Sequence, residues 1–293
     1  MAVCQHPSEP PLPPLTINSY ASTHVPMKTF AKNITRSLAS SDALWPLLQK
    51  YLINVAKYAV AERAEFLFRK EFPDNRIAAG PFKGMLLPGA AHQRGSKLIP
   101  KFIGTYEAEL NPVTELIIAS NPPVIVDVGC AEGYYAVGFA LRCPDSRIIA
   151  YDLDSNARAA CSEVAEANRV EKRVQIESEC TPRSLIELNL PAGSVIMSDC
   201  EGYELELFTP EVVKALKHSQ VFIEVHDLYN PSISETLKQR FAATHHLQVI
   251  RSSHDKSDYA THPSLGQMTP AMLQHLTHER EANMDWFYLL PKP

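Results

Sequence analysis

The densest chemistry-bearing stretch is Asp127-Val128-Gly129-Cys130-Ala131-Glu132-Gly133. The apolar run Val124-Ile125-Val126 ends in an acid, passes through small residues and leads into Tyr134 to Arg142, which is helical in pattern. In an open α/β sheet, such a strand–turn–helix is where a ligand sits, outside the carboxyl end of the strand. Gly129 and Gly133 let backbone approach a ligand closely, and Ala131 is nearly as small. A dinucleotide needs its pyrophosphate on the helix N-terminus, usually with G-x-G-x-x-G. This turn is G-x-A-x-G and carries two acids, Asp127 and Glu132, whose charge repels phosphate.

Those acids favour a phosphate-free ligand with cationic centres. The sulfonium and ammonium of S-adenosylmethionine (SAM) fit that description. Ile148-Ile149-Ala150-Tyr151-Asp152 ends the next strand in a further acid, which can accept both ribose hydroxyls. Leu153 follows it, Asp154 is the competing carboxylate, and Ser155 is a candidate helix cap. No Arg follows directly, which disfavours a 2′-phosphate. After the third strand, Ser178-Glu179-Cys180 falls where an adenine would lie. The expected cofactor residues are therefore Asp127, Gly129, Ala131, Gly133, Asp152, Leu153, Glu179, Cys180 and Asp199.

Asp199 ends a fourth strand, and Glu224 and His226, two apart on a fifth, project to one face. Methyl transfer from a sulfonium needs alignment, exclusion of water and, for a hydroxyl acceptor, removal of a proton. Histidine suits that last task, so His226 is the expected general base, with Glu224 or Asp199 as its partner. Asp199, Glu201, Glu224, His226 and Asp227 also offer ligands for a divalent ion, although no local motif fixes its geometry. Glu201 and Glu204 have a plainer use as acids in a first helical turn. His245-His246 reads as a pair at a helix end. Lys83, Arg94, Lys97 and Lys101 make a mildly basic segment, read as solvated surface.

The elements that must position these groups alternate. Strands are expected at 124–128, 147–151, 174–177, 195–198, 221–225, 247–251 and 286–290. Helices are expected at 134–142, 155–168, 182–188, 210–217 and 231–243. This alternation builds a mostly parallel sheet with helices on both faces. Asn111-Pro112, Thr181-Pro182, Thr209-Pro210, Asn230-Pro231 and Thr269-Pro270 read as capping residues followed by proline at the first helical position. Leu44, Leu47, Leu48, Tyr51, Leu52 and Val55 begin an amphipathic helix running to Phe72, either a packing element or a homodimer interface. The expected division is a proline-rich tail over 1–40, an N-terminal helical and irregular cap over 41–105, and the main domain over 106–293.

A net charge of -5 gives no basic stripe for nucleic acid. No run of about 20 apolar residues marks a membrane span. There is no basic-then-apolar leader, so a cytoplasmic protein is expected. The six cysteines are scattered, without C-x-x-C, which suits neither a zinc cage nor a disulfide framework.

Four segments together resemble a known family. Asp127 to Gly133, Tyr151-Asp152-Leu153-Asp154, Ser198-Asp199-Cys200-Glu201-Gly202-Tyr203-Glu204 and Phe222-Ile223-Glu224-Val225-His226 are similar to the ordered motifs of class I SAM-dependent methyltransferases. The D-x-E-G-x-E and I-E-V-H segments resemble the FkbM-type group. The similarity spans about 104–251, and Gly104-Thr105-Tyr106-Glu107 belongs to it. It departs at Ala131, where glycine is usual, and at Asp152, where the longer Glu is commoner. The resemblance implies a Rossmann-like α/β fold of seven strands with the last antiparallel. It also implies a small-molecule acceptor and O-methylation of sugars or secondary metabolites. The competing expectations are a SAM-fold protein that binds without turnover, and an NAD-dependent oxidoreductase, which the acidic turn disfavours.

Overall fold

The computed structural model describes residues 32, 35–88, 98–253, 256, 263, 269–279 and 284–293. Most of the expected N-terminal tail, together with Arg94 and Lys97, lies outside the described residues. Two compact units divide at residues 57 and 58. The first contains the start of helix α1 (Trp45–Glu71). The second, residues 58–293, contains everything that follows.

Seven strands form one sheet: β1 (Val124–Val128), β2 (Arg147–Tyr151), β3 (Val174–Glu177), β4 (Val195–Ser198), β5 (Gln220–Val225), β6 (His245–Arg251) and β7 (Asp285–Pro291). Their order is β3-β2-β1-β4-β5-β7-β6. The first five are parallel, and β7 runs antiparallel between β5 and β6. This is the expected Rossmann-like α/β sheet. Helices pack on it: α2 (Leu98–Ile103), α3 (Asn111–Ser120), α4 (Tyr134–Arg142), α5 (Ser155–Ala167), α6 (Pro182–Glu187), α7 (Glu204–Leu207), α8 (Pro210–Ala215), α9 (Ile233–Phe241) and α10 (Pro270–Thr277).

The strands are apolar on both sides because helices cover both sides. Along β1, Ile125 enters one core while Val124, Val126 and Val128 enter the other. Along β5, Phe222 enters the first, and Val221, Ile223 and Val225 the second. By the same period of two, Asp127, Glu224 and Trp286 all belong to the first face. Trp286 stands directly opposite Glu224 in the β5–β7 ladder.

That first face is closed by the segment the sequence reads as irregular. Phe72, Ile77, Phe82, Met85, Leu87, Phe102 and Ile103 are buried in the same core as β1, β2 and β4. Phe82 lies edge-on to Tyr134 and to Phe139 of α4, with ring centroids 5.1 and 5.3 Å away. The segment's own pairing is limited to one antiparallel bridge, Arg76 with Leu86, flanked by the Ile77 amide on Met85 and the Leu87 amide on Asn75, and its burial comes from side chains packed on a distant helix.

Proline marks the helix starts, with two corrections. Thr181 and Thr209 cap α6 and α8 through their side chains, and the Thr269 hydroxyl accepts from the Met272 amide. Asn111 is instead the first residue of α3, which continues from a 3-10 turn over Ala108–Leu110. The Asn230 side chain accepts from the Ser232 amide and hydroxyl, so its turn precedes α9 rather than capping it. His245 and His246 open β6 and are not at a helix end. His245 is buried, its Nε2 3.0 Å from the Ser219 carbonyl oxygen.

Candidate active site

The turn after β1 depends on Gly129. It adopts φ +86°, and a Cβ there would stand 1.8 Å from the Asp199 carbonyl oxygen. The amides of Gly129 and Cys130 donate to the Tyr151 carbonyl, and the Asp199 amide donates to that of Val128. The ends of β1, β2 and β4 are thereby drawn together, with Asp127, Asp152 and Asp199 around two adjoining hollows. Gly133 lines neither of these two hollows. It precedes α4 at φ +90° and packs against Cys161.

Ala131 adopts φ +46°, a left-handed conformation that costs an L-residue ~1–2 kcal/mol. The exchange of glycine for alanine in this motif is therefore costlier than the small size of alanine implies. Ala131→Gly is expected to stabilise the protein by about 0.5–1 kcal/mol, after the greater freedom of glycine in the unfolded chain is subtracted. Equilibrium denaturation checks this, and an unchanged or lower midpoint contradicts it.

Two hollows share Gly129, Ala131 and Asp199 as lining. The larger, about 350 Å³, is also walled by Tyr151, Asp152, Leu153, Ser178, Glu179, Cys180, Glu201 and Tyr203. The smaller, about 40 Å³, is lined by Lys101, Tyr106, Glu107, Asp127, Tyr135, Met197 and Trp286, among others. The structure thus brings Gly129, Ala131, Asp152, Leu153, Glu179, Cys180 and Asp199 to the large hollow and Asp127 to the small one. Asp152 is oriented by two backbone amides, those of Ala131 and Asp154, each 2.9 Å away. Asp154 itself caps α5 by accepting from the Asn156 amide and does not line the large hollow, whereas Asp152 does.

Glu132 lines neither hollow. Burial alone would raise its carboxyl, but the Lys101 ammonium outweighs this and holds it below the ordinary range. The Lys101–Glu132 pair is nearly buried, so Lys101 is not the solvated surface lysine expected, and the turn's net acidity resides in Asp127. Asp127 is 4% exposed, and its Oδ2 has no hydrogen-bond partner among the described residues. Burial lifts its carboxyl to about 7, against the pull of the Ala136 amide. The Trp286 indole Nε1, in the same small hollow, is likewise buried without a partner among the described residues. An unsatisfied acceptor and an unsatisfied donor thus face one small space.

His226, just past β5, is fully buried and lines neither hollow. Its Nδ1 is 2.5 Å from Glu204 Oε1, and Glu204 also accepts from the Gly202 amide. Its Nε2 lies 3.4 Å from Glu201 Oε2, 3.5 Å from Asp199 Oδ1 and 3.6 Å from Glu224 Oε2. Burial favours the neutral ring, but the Glu204, Glu224 and Glu201 carboxylates outweigh it and raise the imidazole above its ordinary value. Asp199 and Glu224 are beside His226 as expected, yet the group holding the ring is Glu204. Its position in a first helical turn gives no sign of this, because the contact spans 22 residues. Lys101, Glu107 and Trp286 are the other site residues that sequence reasoning misses. Trp286 sits more than 150 residues from Asp127, on a strand separated from β1 by β4 and β5, and the two meet only as lining of the small hollow. Asp227 accepts from Ser234 and belongs to the start of α9.

No family profile matches the chain, and no curated protein does. Solved structures do match. The precorrin-6Y C5,15-methyltransferase of Geobacter metallireducens GS-15 is 12% identical over 62% of this chain and 89% of that one, with a TM-score of 0.41. The O-methyltransferase of Bacillus cereus, in complex with SAH, is 13% identical over 61% and 79%, with a TM-score of 0.43. TomG of Streptomyces achromogenes, an O-methyltransferase in complex with SAM, is 14% identical over 62% and 81%, with a TM-score of 0.45. These neighbours are methyltransferases. At such identities the likeness is one of fold, and the chemistry rests on the residues of this chain. Among the described residues, no helix is long and apolar enough to cross a membrane.

Proposed function

We propose that the chain is a SAM-dependent methyltransferase acting on a hydroxyl of a small molecule or sugar. The observation that carries this is the pair of unsatisfied groups in the small hollow. Asp127 Oδ2 offers a buried acceptor and Trp286 Nε1 a buried donor, which suit the ammonium and carboxylate of an amino-acid end. The adjoining larger hollow, with Asp152 at the end of β2 and Cys180 and Tyr151 on its wall, suits a nucleoside. The lysine at the small hollow, Lys101, already faces Glu132, which leaves little to hold a pyrophosphate. Bound SAM supplies an electrophilic methyl group. Asp127 holds the amino end, Asp152 the ribose, and Ser178, Glu179 and Cys180 border the base. The D-x-E-G-x-E and I-E-V-H segments support a place near the FkbM-type group.

Proton removal from the acceptor is assigned to the Asp199–Glu224–His226 cluster as a unit. His226 alone is too enclosed for direct contact with an acceptor, whereas Asp199 lines both hollows. Calorimetry tests the reading. SAM and S-adenosylhomocysteine are expected to bind and NAD not to, with Asp152→Ala weakening SAM at least tenfold. Binding of NAD in preference to SAM, or an Asp152→Ala variant with the affinity of the parent, removes the proposal. Release of S-adenosylhomocysteine with an acceptor separates an enzyme from a protein that only binds.

A further inference from the structure

The environment of His226 is unusual for a neutral imidazole. Glu204 Oε1 on Nδ1 fixes the tautomer with hydrogen on that nitrogen, which turns the Nε2 lone pair toward the oxygens of Asp199, Glu201 and Glu224. A lone pair facing three carboxylates is repelled by all of them unless a proton or a metal ion lies between, and the ring's fixed orientation toward two of them suits a metal ion. The ring is fully buried, and Nε2 has no hydrogen-bond partner among the described residues. One ligand atom each from Asp199, Glu224 and His226 lies within 4.8 Å of the others.

We propose that Asp199, Glu224 and His226 form a site for a divalent first-row transition metal ion, placed to polarise the acceptor hydroxyl. This deepens the reading above and rests on it for the identity of the hydroxyl. Two ligand atoms each ~2.1 Å from a shared ion are about 3.0–4.2 Å apart as the angle opens from ~90° to ~180°. The Nε2 separations from Asp199 and Glu224, 3.5 and 3.6 Å, fall inside that interval. Histidine that binds a metal through one nitrogen characteristically donates the other N–H to a carboxylate, which fixes the ring and raises its basicity. Glu204, fully buried and itself held by the Gly202 amide, is that carboxylate. One nitrogen and two carboxylates select a transition ion over magnesium or calcium, which favour oxygen alone.

Access is asymmetric. Glu224 and His226 close the site from within the sheet, while Asp199 lines both hollows and the Glu201 side chain is 69% exposed. Glu201 Oε2, 3.4 Å from Nε2 and hydrogen-bonded by Tyr229, can approach the ion or yield its place to a hydroxyl. A cation here lowers the pKa of that hydroxyl; the proton passes to the Glu201 carboxylate that yields its place, the oxygen takes the methyl group, and the donor leaves as S-adenosylhomocysteine.

The test uses the full-length chain after EDTA treatment, titrated with Mn2+ while free Mn2+ is followed by electron paramagnetic resonance. One Mn2+ per chain is expected at micromolar affinity. Glu224→Gln is expected to weaken it at least 100-fold, and Glu204→Gln, which leaves every ligand in place, ~10–100-fold. Thermal unfolding reports whether each variant is folded. Should either fail to fold, spin-echo spectra of Mn2+ on the parent are to show coupling to a single imidazole nitrogen. No binding below millimolar Mn2+, affinity unchanged in both variants, or no nitrogen coupling overturns the proposal. SAM calorimetry on the same samples separates the two readings. SAM binding without Mn2+ binding removes the metal alone, and Mn2+ binding without SAM binding removes the methyltransferase alone.

Discussion

Asp127→Asn is expected to weaken SAM binding by about 100-fold or more while raising the melting temperature of the unliganded protein. The loss follows from removing a buried charge from the ammonium it would face, for which ~2–5 kcal/mol is the usual scale. The gain follows from the same burial. In the folded chain the carboxyl sits at about 7, against ~3.9 when unfolded. A raised folded value means that stability is fully present below the unfolded value and is lost as pH rises through the folded one. Between pH ~4 and ~7 the native state therefore loses stability, with a ceiling of about 4 kcal/mol for a shift of some three units. Asn carries no charge and escapes that loss, so its advantage in melting temperature is larger at pH 8 than at pH 5. Binding has the opposite dependence. SAM needs the ionised carboxylate, so its Kd is expected to rise about tenfold per unit as pH falls below ~7, and that slope disappears in Asp127→Asn. Calorimetry and thermal unfolding at several pH values measure both. A variant that binds as well as its parent ends the assignment of Asp127.

Gly129→Ala is expected to destabilise the protein by at least ~3 kcal/mol, the largest effect of a single methyl group in the site. The left-handed backbone accounts for ~1–3 kcal/mol. The clash is the greater part, because the obstacle is main chain: the Asp199 carbonyl oxygen, 1.8 Å from the added carbon. A side chain could rotate away, but relief here requires parting the ends of β1 and β4 and moving Asp199 out of the hollow. Denaturant midpoints measure the effect, and residual SAM affinity in whatever folds measures the displacement. A loss under ~1 kcal/mol means that the two loops do not approach as described.

Where the chemistry of a residue depends on its neighbours in the chain, the sequence discloses it. The buried strands are readable as apolar runs, and their ends as acids, because a parallel strand covered on both faces has no polar positions to confuse the pattern. Asp127, Asp152 and Asp199 are found this way, and they line the two adjoining hollows, Asp199 both of them. What depends on distant contacts stays hidden. Lys101 looks like a surface lysine until Glu132 is brought against it across 31 positions. Glu204 looks like a helix-end acid until β5 delivers His226 to it. Segment 72–88 has no period, because its burial comes from Phe82 and Ile77 reaching into a core made elsewhere. Asn111 and Asn230 show a narrower gap: the residue before a proline can begin the helix or form its own turn, and local chemistry permits either.

The place of β7 has a consequence for how the chain is made. A ribosome releases residues 220–251 before residues 285–291, yet the latter strand belongs between the former two. Until it arrives, β5 presents a bare hydrogen-bonding edge with Phe222 beside it, and β6 has no neighbour to join. The nascent protein thus passes through an interval with open strand edges, the condition under which chains stick to one another. The indole of Trp286 arrives with that last strand, so the small hollow can take shape only once that interval has closed.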